Sequence, residues 1–337
     1  MDKVYVVVVN YKKYNDTIEC CESVLKSSYK NCQILLIDNS PDSESSVNLV
    51  KWLNNKSFEV DTSYVELVYP LIDKPIPHVY IYETEFLERT TGFEEQVVLI
   101  KAENRGFAAA NNIALKHIHK TAGLDSFIWI LNNDTVVERS CMENLKRFFD
   151  NHDRKYIVGS KLMYYYQKDR IQAIAGLYNK WLGSTYHVGD HEVDLGQYDE
   201  FIFDSNNYVV GASMFISKQF IDTVGLMNEE YFLYFEEMDW GLTAGQFGFR
   251  LGFQPLAVVY HKEGSSIIKG NNDNKFIADY YSIVNRVKFT KKWYSGYLVI
   301  VMGGVVYALL KRLFKGKFNL VKKIINSLYK VLFSKHK

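Results

Sequence analysis

The strongest constraint on this chain is a pair of unbroken apolar runs, residues 4–9 (Val-Tyr-Val-Val-Val-Val) and 34–37 (Ile-Leu-Leu-Ile), each stopping on a polar residue. A strand with one face in water alternates apolar and polar side chains. Runs without alternation belong to strands covered on both faces, as in a parallel sheet between helices. Within residues 16–28, Ile18, Cys21, Val24 and Leu25 recur at helical spacing, which completes a βαβ opening. Further strands are expected at 96–100 and 127–131, with a helix at 107–119 between them, so the chain reads as an α/β domain with a mostly parallel sheet. Ligands of such sheets sit outside the carboxyl ends of the strands. Asn10, Tyr11, Asp38, Asn39, Asn104, Asn132, Asn133 and Asp134 all fall directly after apolar runs.

Composition narrows the class. With 47% apolar and 15% aromatic residues over 337 positions, the chain can bury a large core and disorder is not the default. Cys20, Cys21, Cys32 and Cys141 show no paired metal-ligand spacing and are too few for a disulfide framework, which points to a reducing compartment. The run 4–9 is shorter than a signal-peptide core and lacks a cleavage site, so a cytoplasmic location is expected. No Gly-X-Gly-X-X-Gly follows that run, which argues against a dinucleotide-dependent oxidoreductase. Alternation at 64–68 and 78–82, around Pro70, Pro75 and Pro77, reads as a hairpin inserted within 51–95. The domain is expected to span 1–285, with a nucleotide-binding half at 1–140 and an acceptor-facing half at 141–285.

The remaining 52 residues differ in kind. From 286 to 337 there are 13 Lys or Arg and no Asp or Glu, whereas the preceding residues carry 12 more acids than bases. Residues 297–310 are apolar apart from two glycines and bounded by Lys292 and Lys311, short of the ~20 residues that span a bilayer. An interfacial or re-entrant segment is expected there. Beyond it Leu310, Leu313, Phe314, Phe318, Val321, Ile324, Ile325, Leu328 and Leu332 recur at helical spacing. Lys315, Lys322, Lys323 and Lys330 fall on the other side. This describes a helix lying on an anionic membrane surface through 297–337, a C-terminal helix packed on the body being the alternative. So long a Leu/Ile/Phe face argues against nucleic acid as the partner.

Eight segments in order carry a resemblance. They are Val8-Val9-Asn10-Tyr11, Ile37-Asp38-Asn39-Ser40, the stretch 104–112 (Asn-Arg-Gly-Phe-Ala-Ala-Ala-Asn-Asn), Leu131-Asn132-Asn133-Asp134-Thr135, Gly211-Ala212-Ser213-Met214, Val224-Gly225-Leu226-Met227-Asn228-Glu229, the stretch 232–239 (Phe-Leu-Tyr-Phe-Glu-Glu-Met-Asp), and the stretch 255–261 (Pro-Leu-Ala-Val-Val-Tyr-His). Together, over roughly 4–290, they resemble family 2 glycosyltransferases of the GT-A fold, in their rhamnosyltransferase-like branch. The chain departs from the family in having Glu236-Glu237 where Glu-Asp is usual, and in a longer interval from Asp38 to Asn104.

The resemblance implies an inverting, metal-dependent sugar transfer from a nucleotide-sugar donor, of the dTDP- or UDP-sugar class, to a hydroxyl of a glycan or lipid-linked acceptor. A departing diphosphate needs a hard cation, Mg²⁺ or Mn²⁺, held by few protein oxygens. Asp134 matches the family's metal-binding Asp-X-Asp-like element. His261 matches a histidine that completes the site in some members, a structural histidine at a strand end being the alternative. Glu237 aligns with the general base, with Glu236 as second choice and Asp239 completing an acidic cluster whose repulsion raises a pKa. For the donor, Asp38 is placed to accept from a base N3–H, with Asn10, Tyr11 and Asn39 around it. Asn104, Arg105 and Gly106 open a helix whose N-terminus favours phosphate, and Asn112 and Asn133 orient the donor. Gly211 and Ala212 form a small-residue floor for sugar, and Trp240 offers a stacking face. The rival reading is a non-catalytic relative that binds a glycan or a partner.

Overall fold

The computed structural model describes residues 2–55, 58–262 and 272–333. Positions 263–271 of the expected acceptor half and the last four of the expected membrane tail thus lie outside the described residues.

The βαβ opening forms as expected, with β1 (Val4–Asn10), α1 (Tyr14–Leu25) and β2 (Cys32–Asp38). After it come α2 (Glu44–Asn54), α3 (Val65–Val68), β3 (His78–Tyr82), α4 (Glu83–Glu88), β4 (Val97–Lys101), α5 (Phe107–Thr121), β5 (Phe127–Asn132), β6 (Thr135–Val137) and α6 (Cys141–Phe148). The second half holds β7 (Tyr156–Tyr164), β8 (Gln167–Ala173), β9 (Gly176–Asn179), β10 (Ser184–His187), β11 (Asn207–Tyr208), β12 (Ser213–Ser217), α7 (Lys218–Val224), α8 (Glu236–Gln246) and β13 (Arg250–His261). Three helices close the described chain, α9 (Asn272–Trp293), α10 (Leu298–Phe314) and α11 (Phe318–Phe333).

One mixed sheet, ordered β3-β4-β2-β1-β5-β12-β7-β13-β6 with β8 beside β7, organises the domain. The strands β3, β4, β2, β1 and β5 run parallel. Their apolar runs are buried on both faces, between one cluster built on α1 and α2 and another built on α5 and α7. β12 is antiparallel to both β5 and β7, so β7 and its parallel neighbour β13 point the same way as β5. The carboxyl ends of β1, β2, β5, β7 and β13 therefore lie along one edge, and the start of β12 meets them there. This edge is where the site forms.

Two expectations change. Residues 51–95 hold no hairpin among the described residues: α3 is a helical turn whose Tyr64, Leu67 and Val68 are buried at i, i+3 and i+4, and β3 is an edge strand parallel to β4. The segment is anchored by an ion pair sealed from water, Lys74 Nζ to Glu22 Oε1 at 2.6 Å, with Trp52 Nε1 donating to the same oxygen at 2.7 Å. Second, the boundary at 285/286 falls inside the continuous helix α9. Asn285 of that helix donates to the carbonyls of Leu233 and Tyr234, at 2.8 and 3.2 Å, so α9 is built into the site.

The tail is also rearranged. Leu320, Val321, Ile324 and Leu328 of α11 bury against α9 and α10, so part of the face expected to meet lipid is used on protein. Ser295–Phe314 forms 20 residues of helix with mean hydropathy 1.7 and only 17% buried, long and apolar enough to cross a membrane by length and composition. Its apolar side chains left in the open include Val299, Val306, Tyr307, Leu310 and Phe314.

Candidate active site

The nucleotide end of the edge is a saturated polar network. Asn10 ends β1 opposite Asp38 at the end of β2, and Asn10 Nδ2 donates to Asp38 Oδ1 at 2.8 Å. The same Asp38 oxygen accepts Ser40 N–H at 3.1 Å, while its other oxygen accepts Ser46 Oγ at 2.5 Å and Lys101 Nζ at 3.1 Å. Asp38 is fully buried with both oxygens taken, so it shapes the loop rather than offering an acceptor to a base. Its neighbour is the exception: Asn39 is 3% exposed and its side-chain oxygen makes no hydrogen bond. Thr17 Oγ1 joins the network to β5, donating to Asn10 Oδ1 at 2.8 Å and accepting from Asn133 Nδ2 at 2.8 Å. Tyr11 is half-buried beside it.

Asp134 follows in the turn between β5 and β6. Because β6 pairs with the end of β13, Thr135 lies opposite His261, and this brings two residues 127 positions apart into contact. His261 Nε2 stands 3.1 Å from Asp134 Oδ1. Its other ring nitrogen lies 2.7 Å from Gln172 Oε1, an oxygen that can only accept, so Nδ1 carries a proton. Nε2 then faces the carboxylate either as an imidazolium N–H or with a lone pair toward a shared cation. An imidazole fixed at Nδ1 by an amide or carbonyl oxygen is the usual arrangement of a metal-ligating histidine. The pair therefore fits a divalent cation as a two-ligand, open site; among the described residues there is no cluster of three or more His, Cys, Asp or Glu that could hold a metal ion. Gln172 lies on β8 in a segment with no recognisable motif, and sequence reasoning missed it.

The start of β12 links this corner to the acids. Asn132 N–H donates to Ala212 O at 3.0 Å, and Gly211 lies one residue earlier. A Cβ built on Gly211 would sit 3.6 Å from Cβ and Cγ of Glu237 and 3.7 Å from its Cδ, so the bare glycine backs that side chain. Glu237 lines a cavity of about 640 Å³ with Tyr186, Asp190, Tyr208, Tyr234 and Arg286. The far wall returns to the metal corner, since Tyr164 donates to Asp190 at 2.6 Å and pairs with His261 in the β7–β13 register. Burial pushes the Glu237 carboxyl up to about 7. Glu236 is buried with Oε2 unpaired, and burial, then the neighbouring Glu237, hold its carboxyl well above the usual range.

The turn that aims these acids is strained. Tyr234 and Phe235 have φ of 70° and 74°, left-handed values costing non-glycine residues about 1–3 kcal/mol each. The Asn285 hydrogen bonds and the burial of Phe235 beside Tyr178 and Phe289 hold them.

Several expected site residues serve the scaffold instead. Asp239 is 2% exposed, within 2.8 Å of Lys292 Nζ, and accepts Trp293 Nε1 at 2.6 Å; it fastens α8 to α9. It therefore cannot add to the repulsion at Glu237. Trp240 is 2% exposed, packed edge-on to Phe220, and its Nε1 donates to Gly225 O at 3.1 Å, so no face remains for sugar. Ala212 is buried in the core, leaving Gly211 as the part of that floor beside an acid. Asn112 clamps a loop, exchanging hydrogen bonds with the Met227 backbone at 2.9 and 3.0 Å and donating to Glu229. At the N-terminus of α5 the first N–H is already taken, since Phe107 N–H donates to Phe232 O at 3.0 Å. Gly106 has φ of 98°, and a Cβ there would lie 2.5 Å from that same carbonyl oxygen. Asn104 accepts Gly106 N–H at 3.1 Å, and Arg105 pairs with Glu83.

Comparison with known proteins bears on the fold that carries this geometry. Residues 84–195 match the sequence profile of Glycosyl transferase family 2. A curated relative, the dTDP-rhamnosyl transferase RfbF of Shigella flexneri, is 19% identical over 182 residues, 54% of this chain. The match spans 57% of that relative's length. Among solved structures, the mannosyltransferase PcManGT of Pyrobaculum calidifontis, in complex with GDP-Man and Mn²⁺, aligns over 99% of this chain and 88% of its own. Its TM-score is 0.50 at 11% identity. TarS 1-349 of S. aureus aligns over 90% and 71%, at TM-score 0.43 and 10% identity. With its mixed sheet the chain has a GT-A-like fold, and its residues 84–195, across β4, α5 and β5, are similar to Glycosyl transferase family 2.

Proposed function

We propose that the protein transfers a sugar, with inversion, from a nucleoside-diphosphate donor held at the β1–β2–β5 edge to an acceptor hydroxyl bound in the cavity beside Glu237. The observation that carries this reading is the Asp134–His261 contact at 3.1 Å, which shares its strand edge with the glycine-backed Glu237.

The chain's own residues divide the work. Asn39 presents the unpaired oxygen that a base N3–H would need, the role expected of Asp38, while Tyr11 flanks it. A uracil or thymine offers such an N–H, which favours a UDP- or dTDP-sugar, and the rhamnosyltransferase relative supports the latter. Asp134 and His261 would hold Mg²⁺ or Mn²⁺, which would supply charge compensation for a departing diphosphate. Glu237 takes the proton of the acceptor hydroxyl, and a carboxyl titrating at about 7 is matched to that task near neutral pH. Glu236, the residue before it and rotated by about 100° around the helix, points elsewhere, its carboxyl held well above the usual range by burial. Direct attack from the side opposite the diphosphate inverts the anomeric centre.

The basic tail places the catalytic domain at the inner face of a membrane. Val299, Val306, Tyr307, Leu310 and Phe314 of α10 and Phe318, Ile325, Tyr329 and Phe333 of α11 are exposed apolar side chains accompanied by lysines. Each cation near anionic lipid adds on the order of 1 kcal/mol. A lipid-linked glycan is then the natural acceptor.

The test is a panel of nucleotide sugars with and without Mn²⁺ on the full chain. A dTDP- or UDP-sugar is expected to raise the melting temperature only with the metal, and no stabilisation by any member of the panel would overturn the reading.

A further inference from the structure

We infer that Arg286 recognises an anionic phosphoryl group of the acceptor, and that this acceptor is an amphiphile whose apolar part runs from the cavity mouth along α10. The inference rests on the cavity beside Glu237 being the acceptor site, and it names what that site selects.

Arg286 lines the cavity from α9, one turn beyond Ser282, with Glu237 and Tyr186 on the other walls. Its Nε is buried and makes no hydrogen bond, and among the described residues its guanidinium enters no ion pair. Burial lowers its pKa, the direction expected of a cation that lacks a counter-charge. The neighbouring cations are all engaged. Lys288 bonds the Glu230 carbonyl, Lys291 those of Val331 and Leu332, Lys292 pairs with Asp239, and Arg312 with Asp279. A partly buried guanidinium kept without an anion is costly unless a ligand supplies one. Its planar fork matches the paired oxygens of a phosphoryl group.

The packing around the stem shows that the side chain is held rather than stranded. Gly183 has φ of 63°, and a Cβ there would stand 2.9 Å from Arg286 Cγ and 2.9 Å from Val301 Cγ1 of α10. The cavity mouth at 183–186 thus abuts the apolar helix directly. Trp181 and Leu182, 54% and 51% exposed, continue the apolar slope toward Val299 and Ile300, and the Trp181 ring meets Tyr297 edge-on at 4.7 Å. A phosphoryl group at Arg286 has water-shy surface on one side and the proton-accepting Glu237 on the other. That order of groups is the one found in a sugar joined through phosphate to a lipid.

The experiment measures binding by calorimetry to the full chain without metal or nucleotide, using octyl phosphate, octyl glucoside and inorganic phosphate below micelle-forming concentrations. Octyl phosphate is expected to bind at least tenfold more weakly to Arg286→Gln than to the parent, with Arg286→Lys recovering part of the loss. Octyl glucoside should not distinguish the variants, and inorganic phosphate should bind more weakly than octyl phosphate. Ser282→Glu, which keeps the arginine but gives it an internal counter-charge one turn away, should lose octyl phosphate to a similar extent. Equal octyl phosphate binding by the parent, Arg286→Gln and Ser282→Glu overturns the inference. Inorganic phosphate binding as tightly as octyl phosphate overturns the lipid source. Mn²⁺-dependent stabilisation by nucleoside diphosphate is read in parallel: kept in Arg286→Gln, it shows a folded donor site, so failure of the phosphoryl probe then touches this inference alone.

Discussion

The two ends of the site are built on opposite principles. At the donor edge the polar side chains answer one another: Asn10, Thr17, Ser40, Ser46 and Lys101 occupy the Asp38 carboxylate and its surroundings, and Asn39 alone keeps a bare oxygen. In the acceptor cavity the charged groups are left wanting. Glu236 has an unpaired buried oxygen, Glu237 is raised by burial, Arg286 has no counter-ion among the described residues, and the backbone at Tyr234 and Phe235 is strained. A satisfied network fixes where a ligand sits; unsatisfied groups are where binding and proton transfer gain most. On the proposed function, the contrast divides recognition of the nucleotide, by a rigid frame, from the chemistry, in a cavity completed by its substrate.

The sharpest way to break that contrast is Glu237→Gln. Turnover is expected to fall by about 10²- to 10⁴-fold while donor binding is unchanged, as read from nucleoside diphosphate release beside calorimetry with the nucleotide sugar. A parallel fall in donor binding would merge the two ends into one. Next in size is Gln172→Ala, which frees Nδ1 of His261 and is expected to cost about 10- to 100-fold in Mn²⁺ affinity, measured by metal titration. Unchanged affinity would remove Gln172 from the metal corner.

Gly106→Ala tests the frame itself. The added Cβ meets Phe232 O and the backbone there has positive φ, so a loss of about 1–3 kcal/mol in unfolding free energy is expected by denaturant titration. The smallest effect concerns pH. The folded-state pKa of Glu237 lies near 7, above the ordinary carboxylate value, so its contribution to stability is present at low pH and lost as pH rises through 7. Glu237→Gln should therefore gain in melting temperature relative to the parent between pH 5 and 8. Activity of the parent should rise over the same window, because the base must be ionised; an activity that falls from pH 6 to 8 would reassign the base.

The shared strand edge was legible in the sequence, whereas the roles of several residues expected along it were not, and physical reasons explain the division. Strand ends in a parallel sheet share an edge, so Asn10, Asp38, Asn133 and Asp134 were legible from apolar runs, and the motif order brought His261 to them. What was not legible depends on tertiary partners. Nothing local distinguishes an Asp239 that pairs with Lys292 from one in an acidic cluster, or a Trp240 packed on Phe220 from one facing a sugar. The helical turn at Val65–Val68 passed for a strand because Tyr64, Val65, Leu67 and Val68 satisfy either period over so short a stretch. The basic tail misled by its charge: α9 carries Arg286 into the cavity and fastens α8 through Lys292, although their counting as tail set both outside the domain.

The most direct test of the account follows the paramagnetic resonance of Mn²⁺ during titration with nucleoside diphosphate, in the parent and in Asp134→Asn. The account predicts that the free-ion signal disappears on adding protein and nucleotide for the parent and for Glu237→Gln, and persists for Asp134→Asn. Loss of the signal in Asp134→Asn at the same concentrations as in the parent would contradict it.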